Sequence, residues 1–316
     1  MLREIDFSVF KGLVPLYLYN DIDYLSITAN VIGARAVFYV YGKNNEELVA
    51  FSLFKRGNKI VLPSFQIFYS GIWLKYSLEH KNGRDNLYNA INCLKERYSQ
   101  IKLMLPVEFF DVRPFIWNNF SITLRYTYLK DTSLYLSYKK DVKSNYKNSK
   151  KQKFAFSKVY FENFNWNGHS NHLLEMGYTN RNVQVYKKWF YNLDLKNKLL
   201  CFQVTDISEI VVGSGVLLLD SNKKTAYFIL RNIPKGRRQK EINAFVYIEV
   251  LKWLNANGYD HLDYMGANMR NIADFKERFL PALTPYYIVE FKSKRLFSLH
   301  GLKKLLRTFL IKYFKY

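Results

Sequence analysis

The chain has 316 residues, 49% hydrophobic and 18% aromatic, with 48 Lys and Arg against 26 Asp and Glu for a net charge of +22. This composition excludes intrinsic disorder and gives room for two domains, each burying its own core. A charge of that size calls for anionic partners such as nucleotides, phosphates, tRNA or an acidic membrane face.

Cys93 and Cys201 stand far apart, so neither a disulfide framework nor a zinc cluster follows. His169 and His172 form one close pair on a polar stretch without a third ligand, which reads as a solvated helix face and no metal site. The start, Met1 to Asp6, is acidic too early for a secretory signal. No apolar run approaches the roughly eighteen residues that span a bilayer. These features predict a cytoplasmic protein, peripheral at the inner membrane face if its basic end meets lipid.

The first third reads as a meander. Arg35–Tyr41 and Leu48–Lys55 are strand-like around the turn at Gly42 to Asn45, and Gly57-Asn58 turns into Ile60 to Pro63. Arg84 to Tyr98 follows as a helix with Leu87, Ala90, Ile91, Cys93 and Leu94 on its apolar side. Ile101 to Leu105 is the strand behind it; a short helix over Val112 to Asn119 and a strand over Ser121 to Leu129 complete the unit. Near Asp131 the pattern predicts a helix capped by Asp131, Thr132 or Ser133, with lysines from Lys139 to Lys153 outside and Tyr135, Leu136, Val142 and Tyr146 inside. A second unit then repeats the order. Its strands are Phe154–Phe161, Leu199–Val204, Ile210–Leu219 and Ala226–Leu230, with helices around Asn171–Met176 and Val183–Trp189.

The most informative stretch closes this unit. Ile242 to Asn257 is an amphipathic helix ending at Gly258, Leu262 to Met265 a short strand ending at Gly266, and a second helix starts near Asn271. Asn268 and Arg270 stand at the mouth where a strand splays, the geometry of an acyl-donor cleft. The loop before the Ile242 helix, Arg231 to Gln239, aims backbone N–H groups and a positive helix end at one place, where an anion fits. Lys276 has Phe275 beside its stem, so its ammonium is placed to stabilise an oxyanion. Asp263 either accepts a proton from an attacking amine or holds the loop by hydrogen bonds. No Ser-His-Asp order, Walker loop or HExxH motif is present, which removes most hydrolase, kinase and metalloprotease readings.

The segment Gly258, Asp263-Tyr264-Met265-Gly266, Phe275-Lys276, Phe279 resembles the end of the second domain in Fem-type transferases and in acyl-CoA N-acyltransferases built from two GNAT domains. Thr127-Tyr128-Leu129, Leu134-Tyr135 and the lysines to Lys151 resemble the connection between those domains, so the likeness covers about residues 30 to 292. The resemblance implies an α/β (α+β) fold of tandem GNAT-like domains, each a mostly antiparallel mixed sheet flanked by helices. The expected units are 1–130, 131–292 carrying the donor cleft, and a basic amphipathic tail over 293–316. The tail carries eight basic residues from Phe291 onward and no acidic one, which suits an anionic membrane or nucleic acid.

The resemblance also implies acyl-CoA as donor, with aminoacyl-tRNA as the alternative, and no metal. It puts Lys276 at the reacting centre, beside the candidate Asp263 read above, and the loop residues Gly236, Arg237, Arg238 and Gln239 at the donor, facing the same cleft as Asn268 and Arg270. The family's two spaced glycines before the helix are reduced here to Gly236, with Arg237 and Arg238 crowding it. The expected reaction is acyl transfer to an amine of an amino sugar or cell-envelope precursor. The alternatives are a Fem-type transfer from aminoacyl-tRNA to a peptidoglycan precursor, and a non-catalytic basic duplicate binding membrane or nucleic acid.

Overall fold

The computed structural model describes residues 1–63, 69–234, 236 and 238–293. The first half holds strands β1 (Leu2–Ile5), β2 (Arg35–Lys43), β3 (Glu46–Arg56), β4 (Lys59–Val61), β5 (Gly71–Leu74), β6 (Gln100–Met104) and β7 (Ser121–Asp131). Helices α1 (Phe7–Phe10), α2 (Ile22–Ile32), α3 (Lys81–Arg97) and α4 (Arg113–Trp117) lie between them. The second half runs α5 (Lys140–Lys151), β8 (Ala155–Val159), α6 (Trp166–Glu175), α7 (Asn180–Asp194), β9 (Leu199–Thr205), β10 (Val211–Asp220) and β11 (Thr225–Asn232). It ends with α8 (Gln239–Ala256), β12 (His261–Asp263), α9 (Arg270–Lys276) and β13 (Ala282–Lys292).

Each half is a mixed unit of the same plan. β1 to β4 pair antiparallel, α3 crosses over, and β6 joins β4 in parallel. β8 to β11 likewise pair antiparallel, α8 crosses over, and β12 joins β11 in parallel. Parallel neighbours require such a crossover, which is why the two longest amphipathic helices stand at these points. The last strands are exchanged: β13 lies between β6 and β7, and β7 between β13 and β12. The units therefore merge into one sheet among the described residues, in the order β1-β2-β3-β4-β6-β13-β7-β12-β11-β10-β9-β8, with β5 on β3.

The cores follow from that arrangement. One face of the first unit packs Leu87, Ile91 and Leu94 of α3 against Val49, Phe51 and Ile101. The same face of the second packs Phe245, Ile248 and Leu251 of α8 against Leu200, Phe228 and Tyr264. The opposite face is common to both units: Tyr24 and Leu25 of α2 share a cluster with Trp189 and Phe190 of α7. There Trp189 Nε1 donates to Thr28 Oγ1 at 3.0 Å. α2 is set locally, with Asp21 accepting from Tyr24 N at 3.0 Å at its start and Gly33 at φ +63° at its end.

Two expectations are corrected. The lysine-rich helix starts at Lys140, not near Asp131; Asp131 caps only a 3-10 turn over Thr132–Leu134. The chain between is tethered to the second unit, Thr132 N to Asp260 O at 3.0 Å and Lys139 N to Arg278 O at 2.8 Å, and these bonds replace helical ones. His169 does not lie on a solvated face: it is fully buried, stacked 4.9 Å from the Phe164 ring, with Nε2 2.8 Å from Ser214 Oγ. The tandem plan is as expected, with its two units joined edge to edge in one sheet among the described residues. The amphipathic tail, residues 294–316, lies outside the described residues. Among the described residues no helix is long and apolar enough to cross a membrane.

Candidate active site

The site begins where β11 and β12 part. Their parallel pairing runs from Thr225/His261 to Tyr227/Asp263 and stops. On β11 the register against β10 shifts between Val216 and Leu217, so Ile229 is the extra residue of a bulge. A bulge inserts one residue and reverses the alternation beyond it. Ile229 and Leu230 consequently both enter the shared core, and Arg231 turns toward α8 and α9. On the other side of the gap, Met265 and Gly266 adopt φ of +54° and +72°, bending the chain away from β11.

The opening is a cleft of about 490 Å³ lined by Phe228, Arg231, Tyr247, Met265, Asn268 and Lys276, among others. A second cavity of about 480 Å³ adjoins it, with Asn171, Glu175, Asn232, Pro234, Gln239 and Asn243 in its wall. Arg231 and His172 line both, so the two form one groove. It runs from the parted strands to the start of α8, where the N-cap residue Arg238 makes no side-chain capping bond. The corresponding place in the first unit is closed. There Ser70 N donates to Met104 O at 2.7 Å, filling the space beyond the β4–β6 pair with the chain's own backbone.

Lys276 is 8% exposed and is the last residue of α9, not a residue of its cleft-facing start. Its Nζ donates to the carbonyls of Tyr264 at 2.7 Å, Gly266 at 2.9 Å and Met265. An ammonium has three protons, and in this arrangement three loop carbonyls take them while the side chain still lines the cleft. Burial and the neighbouring Arg231 push its pKa down to about 8, against the pull of Asp263.

Asp263 is 1% exposed. One carboxyl oxygen accepts from Thr127 Oγ1 and from Met265 N at 2.8 Å, the other from Tyr69 Oη at 3.0 Å. Burial raises its pKa although these bonds oppose it. Both oxygens are engaged within the fold, and these bonds hold the parted strand. Tyr264 packs into the core at 1% exposure, 5.2 Å from the Tyr247 ring.

The expected donor-binding residues separate. Gln239 lines the upper cavity and Asn268 the lower, and the groove joins them through Arg231. Asn268 bridges to β7, accepting from Tyr126 N and donating to Tyr126 O, both at 3.0 Å. Gly236 and Arg238 are exposed beside the start of α8. The Arg270 side chain is 95% exposed and 3.8 Å from Asp274. Arg237 lies outside the described residues. Sequence reasoning put Arg231 in the anion-binding loop and weighed His172 only as half of a histidine pair, and it missed Tyr247; the place of Arg231 on this wall depends on the bulge, which the sequence signals weakly. Among the described residues no group of His, Cys, Asp and Glu is arranged to hold a metal ion.

No family model matches the chain, and no curated protein matches it. Solved structures do. FemX is similar with a TM-score of 0.66 at 10% identity, covering 97% of this chain and 99% of its own. A tandem GNAT protein from the clavulanic acid biosynthesis pathway, without AcCoA, gives a TM-score of 0.56 at 6% identity, covering 92% and 98%. L-PGS from Bacillus licheniformis gives 0.53 at 11%, covering 91% and 92%. The likeness spans nearly the whole of each chain, and the two units of one plan give this protein the fold of the tandem GNAT protein, to which FemX is also similar over its length.

Proposed function

We propose that the chain is a transferase whose second unit takes an activated acyl donor into the groove between β11 and β12 and passes the acyl group to an amine. The observation that carries this reading is the asymmetry of the duplication: the second unit keeps an open gap leading to a helix start with no side-chain capping bond from its N-cap residue, while the first fills the same gap with Ser70. The fold shared with FemX and a tandem GNAT protein supports it.

Direct transfer needs a held carbonyl, a neutral amine and a place for its proton. The carbonyls of Tyr264 to Gly266 are drawn inward by Lys276, which fixes the loop and leaves the cleft wall to Phe275, Asn268 and Met269. His172 is the imidazole in this wall and is the proposed proton acceptor, its Nδ1 4.0 Å from Glu175. The amine attacks the acyl carbon, its proton passes to His172, and collapse of the tetrahedral adduct expels the carrier thiolate or alkoxide.

Acyl-CoA is the first donor proposed and an amino sugar or cell-envelope precursor the acceptor. Aminoacyl-tRNA with a peptidoglycan precursor is the second reading, favoured by the net charge of +22. Cytoplasmic location with contact to an anionic membrane belongs to the same proposal. Thermal unfolding in acetyl-CoA, longer acyl-CoAs and charged tRNA tests it, since a ligand at a hundred times its Kd stabilises by about 2.7 kcal/mol. Transfer to UDP-amino sugars or peptidoglycan precursors is then assayed with whichever donor stabilises. A chain that no donor stabilises and that transfers nothing is the non-catalytic duplicate.

A further inference from the structure

Arg231 lines both cavities of the groove, and its surroundings are unusual for a surface cation. Its guanidinium carbon lies 5.3 Å from the centre of the Tyr247 ring and 4.9 Å from that of Phe275. Nη1 donates to Asn243 Oδ1 at 2.6 Å, and Asn243 is itself fixed by donating to Gln239 O at 2.7 Å. The group is thus held by two rings and one amide, which leaves most of its five donors unspent. Among the described residues no carboxylate pairs with it; Glu249 of α8 and Asp274 of α9 pair with Lys150 and Arg270.

A second cation stands close by. The charge of Arg231 disfavours the ammonium of Lys276, so the two repel across the cleft. Two like charges beside a cavity favour an anion in the space they share, and among the described residues Arg231 has no carboxylate to compensate it. The position of that anion is informative. Phe275 is both the ring under Arg231 and the neighbour of Lys276, so the anion-reading edge lies within one side chain of the loop at Tyr264 to Gly266. A CoA thioester carries its phosphates a whole pantetheine arm away from the acyl carbon.

We propose that Arg231 is a specificity residue that clamps, bidentately, one oxyanion of the bound substrate lying close to the transferred acyl group. The chemistry is that of a phosphate ester or a carboxylate, either of which matches the planar fork of an arginine better than a point charge does. This rests on the groove being the substrate site of the proposed transferase, and it adds that a substrate with no charge near the reacting carbon is discriminated against.

The test uses the full chain and two small probes, adenosine 5′-monophosphate for the phosphate ester and N-acetylglycine for the carboxylate, with adenosine and N-acetylglycinamide as uncharged partners. Calorimetric titration is run on the parent, Arg231→Met, Arg231→Lys and Arg35→Met. Arg35 is an exposed cation of β2 and reports unspecific attraction to a basic surface. The expected result is that one anion binds the parent and Arg35→Met equally, and that Arg231→Met weakens it about tenfold or more. Arg231→Lys recovers part of the loss. Which anion binds names the source. The inference is overturned if neither anion binds more tightly than its uncharged partner, or if Arg231→Met binds as the parent does. Should Arg231→Met not fold, an Arg231→Lys affinity equal to that of the parent overturns it. A parent that transfers no acyl group yet shows the Arg231-dependent response fails the transferase reading and keeps this one. Undiminished transfer by Arg231→Met with unchanged anion binding does the reverse.

Discussion

Lys276 shows how a single side chain changes meaning between sequence and structure. The pair Phe275-Lys276 marks the right region, but the ammonium serves the backbone of Tyr264, Met265 and Gly266. Lys276→Met leaves three carbonyls without their donor, so it is expected to lower stability by about 3 kcal/mol or more and to weaken donor binding with it. Denaturant unfolding checks the first; a variant as stable as the parent places the lysine's role outside the loop. His169 gives a pH prediction. Burial holds its pKa down to about 3 from the ordinary 6.5. Below 6.5 the unfolded ring takes a proton that the folded ring refuses, so the unfolded state binds more protons and gains weight. Stability from this residue is full above 6.5 and drains as the pH falls toward 3. In His169→Phe that part of the pH dependence should vanish, measured as a flatter unfolding free energy between those limits.

At the scale of elements, much was legible. The periodicity of Ile242 to Asn257 and the Asp263 to Gly266 stop mark α8, β12 and the turn after them, and Leu87 to Leu94 mark α3, because these depend on local spacing of apolar residues. What failed depends on partners distant in sequence. The lysine helix lost its first turns to bonds with Asp260 and Arg278, which no window around Asp131 contains. The aim of Arg231 depends on a bulge at Ile229 opposite β10, and a strand pattern read by alternation puts that side chain on the wrong face. His169 sits in a stretch of polar letters but is covered by Phe164 and Trp166. The region after α9 supplies a comparison that separates packing from function. Phe279 is 1% exposed and stacks 4.5 Å from Tyr247, so Phe279→Ala should cost about 3–5 kcal/mol. Phe275 is only half-buried and forms the cleft wall under Arg231, so Phe275→Ala should cost less stability and more ligand affinity. Equal losses of stability in the two would contradict the division.

For the whole molecule, the merged sheet bears on what a domain is here. Expected units of 1–130 and 131–292 describe a repeated plan, yet β7 pairs only with β12 and β13 among the described residues, and β13 joins β6 to β7. The common cluster on the other face binds α2 to α7 as well. Calorimetry should therefore show one unfolding transition for residues 1–293, and residues 1–130 expressed alone should not fold. Two separated transitions would mean that the exchanged strands contribute little.

The exchange of β7 and β13 also governs time. A chain emerging from the ribosome completes β6 at Met104, but the strand that covers that edge begins at Ala282. At synthesis rates of about 5–20 residues per second the edge waits roughly ten seconds or more with its backbone groups unpaired. Closure of the sheet is thus postponed to nearly the last strand made, and pairing across such a long stretch of chain is slow. The open groove of the second unit, whose wall includes Asn268 bridging to Tyr126 on β7, cannot reach its final shape before that late event. A ligand-competent protein and a finished fold arrive together.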